Sequence, residues 1–231
     1  MIQENIRKIL QEMEDSAKAS GRALSDISLM AVSKLHPYEE ILEAYDFGQR
    51  LFGENKVQEV QAKFPKEHPS AMELHLIGHL QSNKVKKIVP LVDGIDSVDS
   101  LKLAIKIEEE ALAIGKRIPI LLEFNTSGES SKSGFETSDE LYRALDGMVA
   151  FNSIYIKGLM TIGPLEGSER TVRNAFKQLR TVQLSCRQRY PQFCFDTLSM
   201  GMSSDFAWAI AEGSTMVRVG TRLFGKRDYT V

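Results

Sequence analysis

A length of 231 residues is long for one ordinary domain and short for two, so the expected organisation is one large domain over residues 1–231, of barrel or open α/β type. With 42% hydrophobic and 26% charged residues, a disordered, collagenous or disulfide-scaffold chain is excluded. The 29 Lys and Arg nearly cancel the 31 Asp and Glu, leaving a net charge of -2; this disfavours general nucleic-acid or anionic-membrane binding and favours a small-molecule partner.

Ile2, Ile6, Ile9, Leu10 and Met13 recur at helical spacing, which predicts an opening amphipathic helix that ends near Ser20 and Gly21. The charges Glu4, Arg7, Lys8, Glu12, Glu14 and Asp15 break any signal-peptide core within it. A strand-like run follows at Ser28–Ser33, then a helical pattern carrying Ile41, Leu42 and Tyr45, and a second strand at Leu51–Gly53. Strands three and four fall at Leu74–Gly78 and Gly94–Val98, and between them Lys84, Lys86 and Lys87 read as a solvated helix face. Leu103, Ala104, Ile107, Ala111 and Ile114 predict a helix before strand five at Ile118–Phe124. Leu141, Leu145 and Met148 predict another before strand six at Ile154–Met160, and Val172, Phe176, Leu179 and Val182 a third before strand seven at Thr197–Met200. Strand eight is Met216–Gly220.

Strand and helix alternate without a hairpin signal, which requires parallel pairing through crossover helices. The expected fold is a single (β/α)8 barrel of TIM type with an additional N-terminal amphipathic helix; an open doubly wound sheet is the alternative. No apolar run approaches the ~20 residues of a membrane span. Cys186 and Cys194 match neither a zinc nor a CxxC spacing and read as reduced packing thiols, so a cytoplasmic location is expected.

In such a barrel the chemistry belongs at the C-terminal ends of the strands. Strand one ends at Ser33-Lys34, and a partly desolvated lysine there favours a neutral amine able to form a Schiff base. Gly201-Met202-Ser203-Ser204-Asp205 after strand seven and Gly220-Thr221 after strand eight offer small residues, hydroxyls and helix starts suited to a phosphate. Arg218 interrupts an apolar strand on the same side as Gly220 and needs a buried acceptor: a carboxylate such as Glu54 or Glu123, or a ligand's ring nitrogen. Phosphate, heteroaromatic nitrogen and aldehyde together describe pyridoxal 5′-phosphate (PLP). A Schiff-base aldolase acting on a phosphosugar through Lys34 is a more distant alternative.

The segments Ala31–Lys34, Phe52–Glu59, His75–Lys84, Ser131–Gly134, Gly158–Thr161, Leu198–Ser203 and Gly213–Thr221 resemble the pyridoxal-phosphate homeostasis proteins, the YggS/PROSC family. The resemblance runs from Ala31 to Tyr229 and departs at Ser204 and Ala207, where many relatives carry acidic residues. It implies a barrel of the alanine racemase N-terminal type with PLP as a Schiff base on Lys34, phosphate contacts from Ser199, Gly220 and Thr221, a ring-nitrogen contact from Arg218, and Asn55 beside the ring. It also implies a role in intracellular PLP homeostasis, by buffering, protecting or delivering the cofactor to apo PLP-dependent enzymes.

An arginine at the ring nitrogen leaves a weaker electron sink than a carboxylate. A racemase, the enzymatic alternative, also needs a second acid/base group, which its relatives supply from another domain. The sequence ends about ten residues after strand eight, so that domain is not expected, and a non-catalytic, monomeric carrier is favoured. His79 is read as a packing residue. Lys132, in the loop after strand five, is a candidate transient acceptor of PLP.

Overall fold

The computed structural model describes residues 1–65, 68–128, 133–164 and 167–225. Helix α1 (Ile2–Ala19) precedes an alternation of strands and helices: β1 (Ser28–Val32), α2 (Tyr38–Asp46), β2 (Leu51–Glu54), α3 (Val57–Lys63), β3 (Glu73–Leu76), α4 (Val85–Ile88), β4 (Gly94–Val98) and α5 (Leu101–Ala113). The second half continues with β5 (Ile118–Glu123), α6 (Ser138–Met148), β6 (Ile154–Met160), α7 (Glu169–Arg189), β7 (Thr197–Ser199), α8 (Phe206–Ala211), β8 (Met216–Val219) and α9 (Thr221–Phe224). All eight expected strands form, each ending within two residues of the expected boundary. They make one closed parallel barrel. Closure is made where β1 pairs with β8, from Ser28 opposite Met216 to Ala31 opposite Val219, which rules out the open sheet.

Alternation along the strands separates two interiors. Leu29 and Ala31 of β1 and Val217 and Val219 of β8 face outward into the main core against the helices, whereas Met30, Val32, Ile77 and Met216 form a separate small cluster in the lumen. The lumen also buries His75, Asp96, Glu123, Ser199 and Arg218. Barrel lumens are usually filled by branched apolar residues, so this polar filling already marks the interior as more than packing.

Three of the longer helices start where side-chain oxygens satisfy free backbone N–H groups: Ser100 for α5, Thr137 for α6 and Ser168 for α7. Helices α3, α4, α8 and α9 are seven, four, six and four residues long, too short for apolar periodicity to register. The short α8 and α9 leave the outside of the barrel near β8 thinly covered, and α1 packs there. It buries Ile2, Ile6, Ile9, Met13 and Ala17, and Asn5 Nδ2 donates to the Leu223 carbonyl at 2.9 Å. Arg22, just past its end, donates to the carbonyls of Ile210 and Ser214. Cys186 is buried and its thiol pKa pushed up to about 12 by desolvation, Cys194 is partly exposed, and both are free thiols. Among the described residues no helix is long and apolar enough to cross a membrane.

Candidate functional site

The C-terminal ends of the strands enclose a cavity of about 340 Å³, within the usual range for small-molecule sites. Lys34 after β1, Asn55 after β2, and Arg218, Gly220 and Thr221 from β8 and α9 all line it. Val32, Ile77, Ile162 and Met202 supply apolar wall, and Ser203 and Ser204 complete the rim. A larger cavity, about 450 Å³, opens at the opposite end among strand starts such as Ser28, Leu51, Glu73 and Thr197. Size does not decide between them. In this architecture the chemistry is built on loops at the C-terminal end, and five of the six residues expected at the site line this cavity.

Lys34 sits half-buried on a tight turn directly after β1. Ser33 anchors that turn: its Oγ donates to Glu54 Oε1 at 2.7 Å, and its carbonyl accepts from the His36 N–H at 3.1 Å. Glu54 is 0% exposed and points away from the lumen; its Oε1 also accepts from Lys63 Nζ at 2.6 Å. Burial raises the Glu54 pKa, while Lys63 and the Ser33 hydrogen bond act in the opposite direction. Glu54 is therefore a partner of the Lys34 turn and not of Arg218.

Arg218 is 5% exposed. Its Nη1 donates to Ser199 Oγ at 2.7 Å and its Nη2 to the Thr161 carbonyl at 2.8 Å. Both acceptors are neutral, so the guanidinium has no directly bonded carboxylate among the described residues; burial lowers its pKa, and Asp96, Asp205 and Glu123 oppose that shift through space. Ser199, expected at the phosphate, is fully buried, accepts from Arg218 and is not among the residues that line the cavity. β7 ends at Ser199 itself, and strand alternation turns its hydroxyl into the lumen beside the inward Arg218.

The rim at Gly220 is built from two adjoining segments. The Met202 N–H donates to Asp205 Oδ1 at 2.5 Å, and the Asp205 and Phe206 N–H groups return to the Met202 carbonyl. Burial raises the pKa of Asp205, and the Met202 hydrogen bond and Arg218 counter it. This closed turn presents Ser203 and Ser204 to the cavity, and Arg222 Nη1 donates to the Ser203 carbonyl at 3.2 Å, tying the turn to α9. Gly220 and Thr221 open α9, where the first N–H groups of a helix have no intrahelical acceptor.

Across the cavity, Asn55 Oδ1 is buried without a hydrogen-bond partner among the described residues. Its backbone lies hard against the end of β3: a Cβ on Gly78 would fall 2.2 Å from the Asn55 carbonyl oxygen, so only glycine permits this approach. His79, expected as a packing residue, is exposed, with Nδ1 3.1 Å from Asp99 Oδ2; it begins a surface loop after β3. Lys132 and Tyr229 lie outside the described residues. Sequence reasoning did not single out the apolar walls. Val32 and Ile77 were legible as the last inward residues of the expected strands one and three, while Ile162 lies beyond β6 and carries no signal.

The family profile "Alanine racemase, N-terminal domain" matches residues 2–228. The chain is 42% identical to the pyridoxal phosphate homeostasis protein of Vibrio cholerae, over 99% of this chain and 98% of that one. To the protein of the same name from Escherichia coli K12 it is 37% identical, over 99% and 98%. The solved structure of PipY from Synechococcus elongatus PCC7942 with PLP bound superposes with a TM-score of 0.83 at 37% identity, covering 97% of this chain and 100% of that one. The alanine racemase of Clostridium difficile shares the fold alone, at 15% identity and a TM-score of 0.73 over 96% of this chain and 57% of its own. This chain belongs to the pyridoxal phosphate homeostasis proteins, within the family of the alanine racemase N-terminal barrel.

Proposed function

We propose that the protein binds PLP in the C-terminal cavity as a Schiff base on Lys34 and serves intracellular PLP homeostasis, buffering, protecting or delivering the cofactor. The observation that carries this reading is the convergence of Lys34, Asn55, Arg218, Gly220 and Thr221 on one cavity. The residues fit the group. The Gly220–Thr221 rim and the Ser203–Ser204 turn offer N–H and hydroxyl donors to a phosphate. Asn55 Oδ1 is a buried acceptor that lacks a donor, as a hydroxyl on the ring would provide. Arg218 is a permanent donor suited to an unprotonated ring nitrogen. Lys34 would hold the group through its side-chain amine, the condensation with the aldehyde releasing one water.

When bound, PLP supplies an electrophilic carbonyl and an electron-accepting ring. Arg218 at that ring's nitrogen would favour its unprotonated state and so a weaker electron sink, which leaves racemase-like proton transfer or no carbanion chemistry. The homeostasis-protein names of the relatives support the carrier reading. It further describes a monomeric cytoplasmic protein whose partners are PLP and apo PLP-dependent enzymes.

The test is a PLP titration followed by transfer. The wild type is expected to develop a visible imine absorbance, keep it through gel filtration and reactivate an apo PLP-dependent enzyme, with Lys34→Ala losing the absorbance. Robust racemisation of amino acids by the wild type would overturn the carrier reading.

A further inference from the structure

We propose that Glu59 and Lys63, on the outward helix α3, are positioning residues for Lys34: together they fix both peptide groups that flank it. The inference rests on the reading of Lys34 as the PLP-linking residue. Lys63 Nζ donates to the Ser33 carbonyl at 2.8 Å, which holds the peptide before Lys34. Glu59 Oε2 accepts from the Leu35 N–H at 2.9 Å, which holds the peptide after it. With both peptide planes fixed, the direction of the Lys34 Cα–Cβ bond is fixed, and with it the base of the chain that must reach the ligand.

The backbone shows why a bracket is needed. Leu35 has φ +64°, the only positive φ of a non-glycine residue among the described residues. An L-residue with a Cβ disfavours this region, and the Leu35 side chain, 41% exposed, does not hold it there by packing. The hold comes from α3 and its neighbours. Lys63 Nζ bonds Glu54 Oε1 at 2.6 Å and lies 3.7 Å from Glu59 Oε2, so one ammonium joins both carboxylates. Ser33 Oγ closes the ring on Glu54. Beyond Leu35, the His36 ring stacks on Phe224 at a centroid distance of 4.9 Å, which connects the turn to α9 on the phosphate side. Glu59 and Lys63 are four residues apart, so one helix face delivers both groups.

The experiment compares PLP affinity in Glu59→Ala, Glu59→Gln, Leu35→Gly and the Glu59→Ala/Leu35→Gly double variant, with hydrogen exchange at the residue 35 amide as a readout independent of the ligand. Releasing the bracket lets residue 35 leave the left-handed region, which for a leucine corresponds to about tenfold weaker PLP binding and faster amide exchange. Glu59→Gln keeps an acceptor and stays near the wild type. Glycine adopts this φ without the steric penalty, so the double variant recovers the affinity and Leu35→Gly alone stays within about twofold of the wild type. A purely structural role would lower thermal stability without rescue of affinity by glycine. Unchanged affinity in Glu59→Ala, no rescue in the double variant, or a tenfold loss in Leu35→Gly alone would each overturn the proposal. Absence of any imine absorbance in the wild type would instead overturn the reading of Lys34 on which it rests.

Discussion

Arg218→Ala separates tuning of the ligand from anchoring it, because Arg218 joins β7 and β6 in the fold and faces the ligand in the proposed site. In the folded protein it satisfies Ser199 Oγ and the Thr161 carbonyl. Each buried acceptor left without its donor costs about 1–3 kcal/mol, so the variant loses about 2–6 kcal/mol of stability, a drop in Tm of roughly 5–20 °C for a chain of this size. Toward PLP it removes one charge-assisted hydrogen bond worth about 1.5–3 kcal/mol, or about 10- to 150-fold in Kd. The phosphate rim supplies several such bonds, so Thr221→Glu, which sets a carboxylate against the phosphate, is expected to weaken binding further than Arg218→Ala does. The assays are absorbance titration for Kd and a thermal melt followed by circular dichroism. Complete loss of PLP in Arg218→Ala with the fold intact, together with retained binding in Thr221→Glu, would refute the ranking.

Other expectations follow from single contacts. Glu108 accepts from the N–H groups of Asn152, Ser153 and Ile154, so Glu108→Ala removes a carboxylate that seats the start of β6; water can partly replace it at this half-buried position, so a net loss of about 2–3 kcal/mol and a Tm drop of roughly 5–10 °C are expected. Gly78→Ala drives a Cβ into the Asn55 carbonyl and is expected to weaken PLP binding by displacing Asn55, read by the same titration. At the other end of the barrel, burial alone would lower the pKa of His75, but Asp96, 2.8 Å from its Nδ1, outweighs burial and raises it above the ordinary 6.5. A raised imidazole pKa contributes stability that is complete below 6.5 and is lost as pH rises through the folded value. Asp96→Asn is thus expected to reduce stability to urea more at about pH 6 than at about pH 9; equal losses at both would refute the pairing.

The barrel was legible because its strands are apolar runs separated by crossover helices, and parallel pairing leaves few other ways to bury them. Lys34, Arg218, Gly220 and Thr221 were legible because each ends or follows a strand or interrupts one against its pattern, whereas Asn55 entered through the resemblance alone; the topology brings all five together. Ser199 was placed at the phosphate by resemblance; only coordinates show that its hydroxyl accepts from Arg218. Glu54 illustrates the same limit. Its charge announces a buried partner, but the choice of Lys63 over Arg218 depends on which face of β2 it occupies, and a strand of four residues carries too little alternation to settle that. The bracket on α3 was not read at all, since a Glu and a Lys four residues apart on a short helix are ordinary surface chemistry until Leu35 is seen at positive φ.

The carrier role depends on the proposed covalent linkage of PLP to Lys34. Borohydride reduction of the PLP-loaded protein, followed by proteolysis and mass spectrometry, tests it most directly. A pyridoxyl phosphate adduct is expected on the peptide containing Lys34, with the wild-type protein labelled at close to one equivalent and Lys34→Ala unlabelled at that peptide. Reduction that labels a different lysine in the wild type, with Lys34 unmodified, would contradict it.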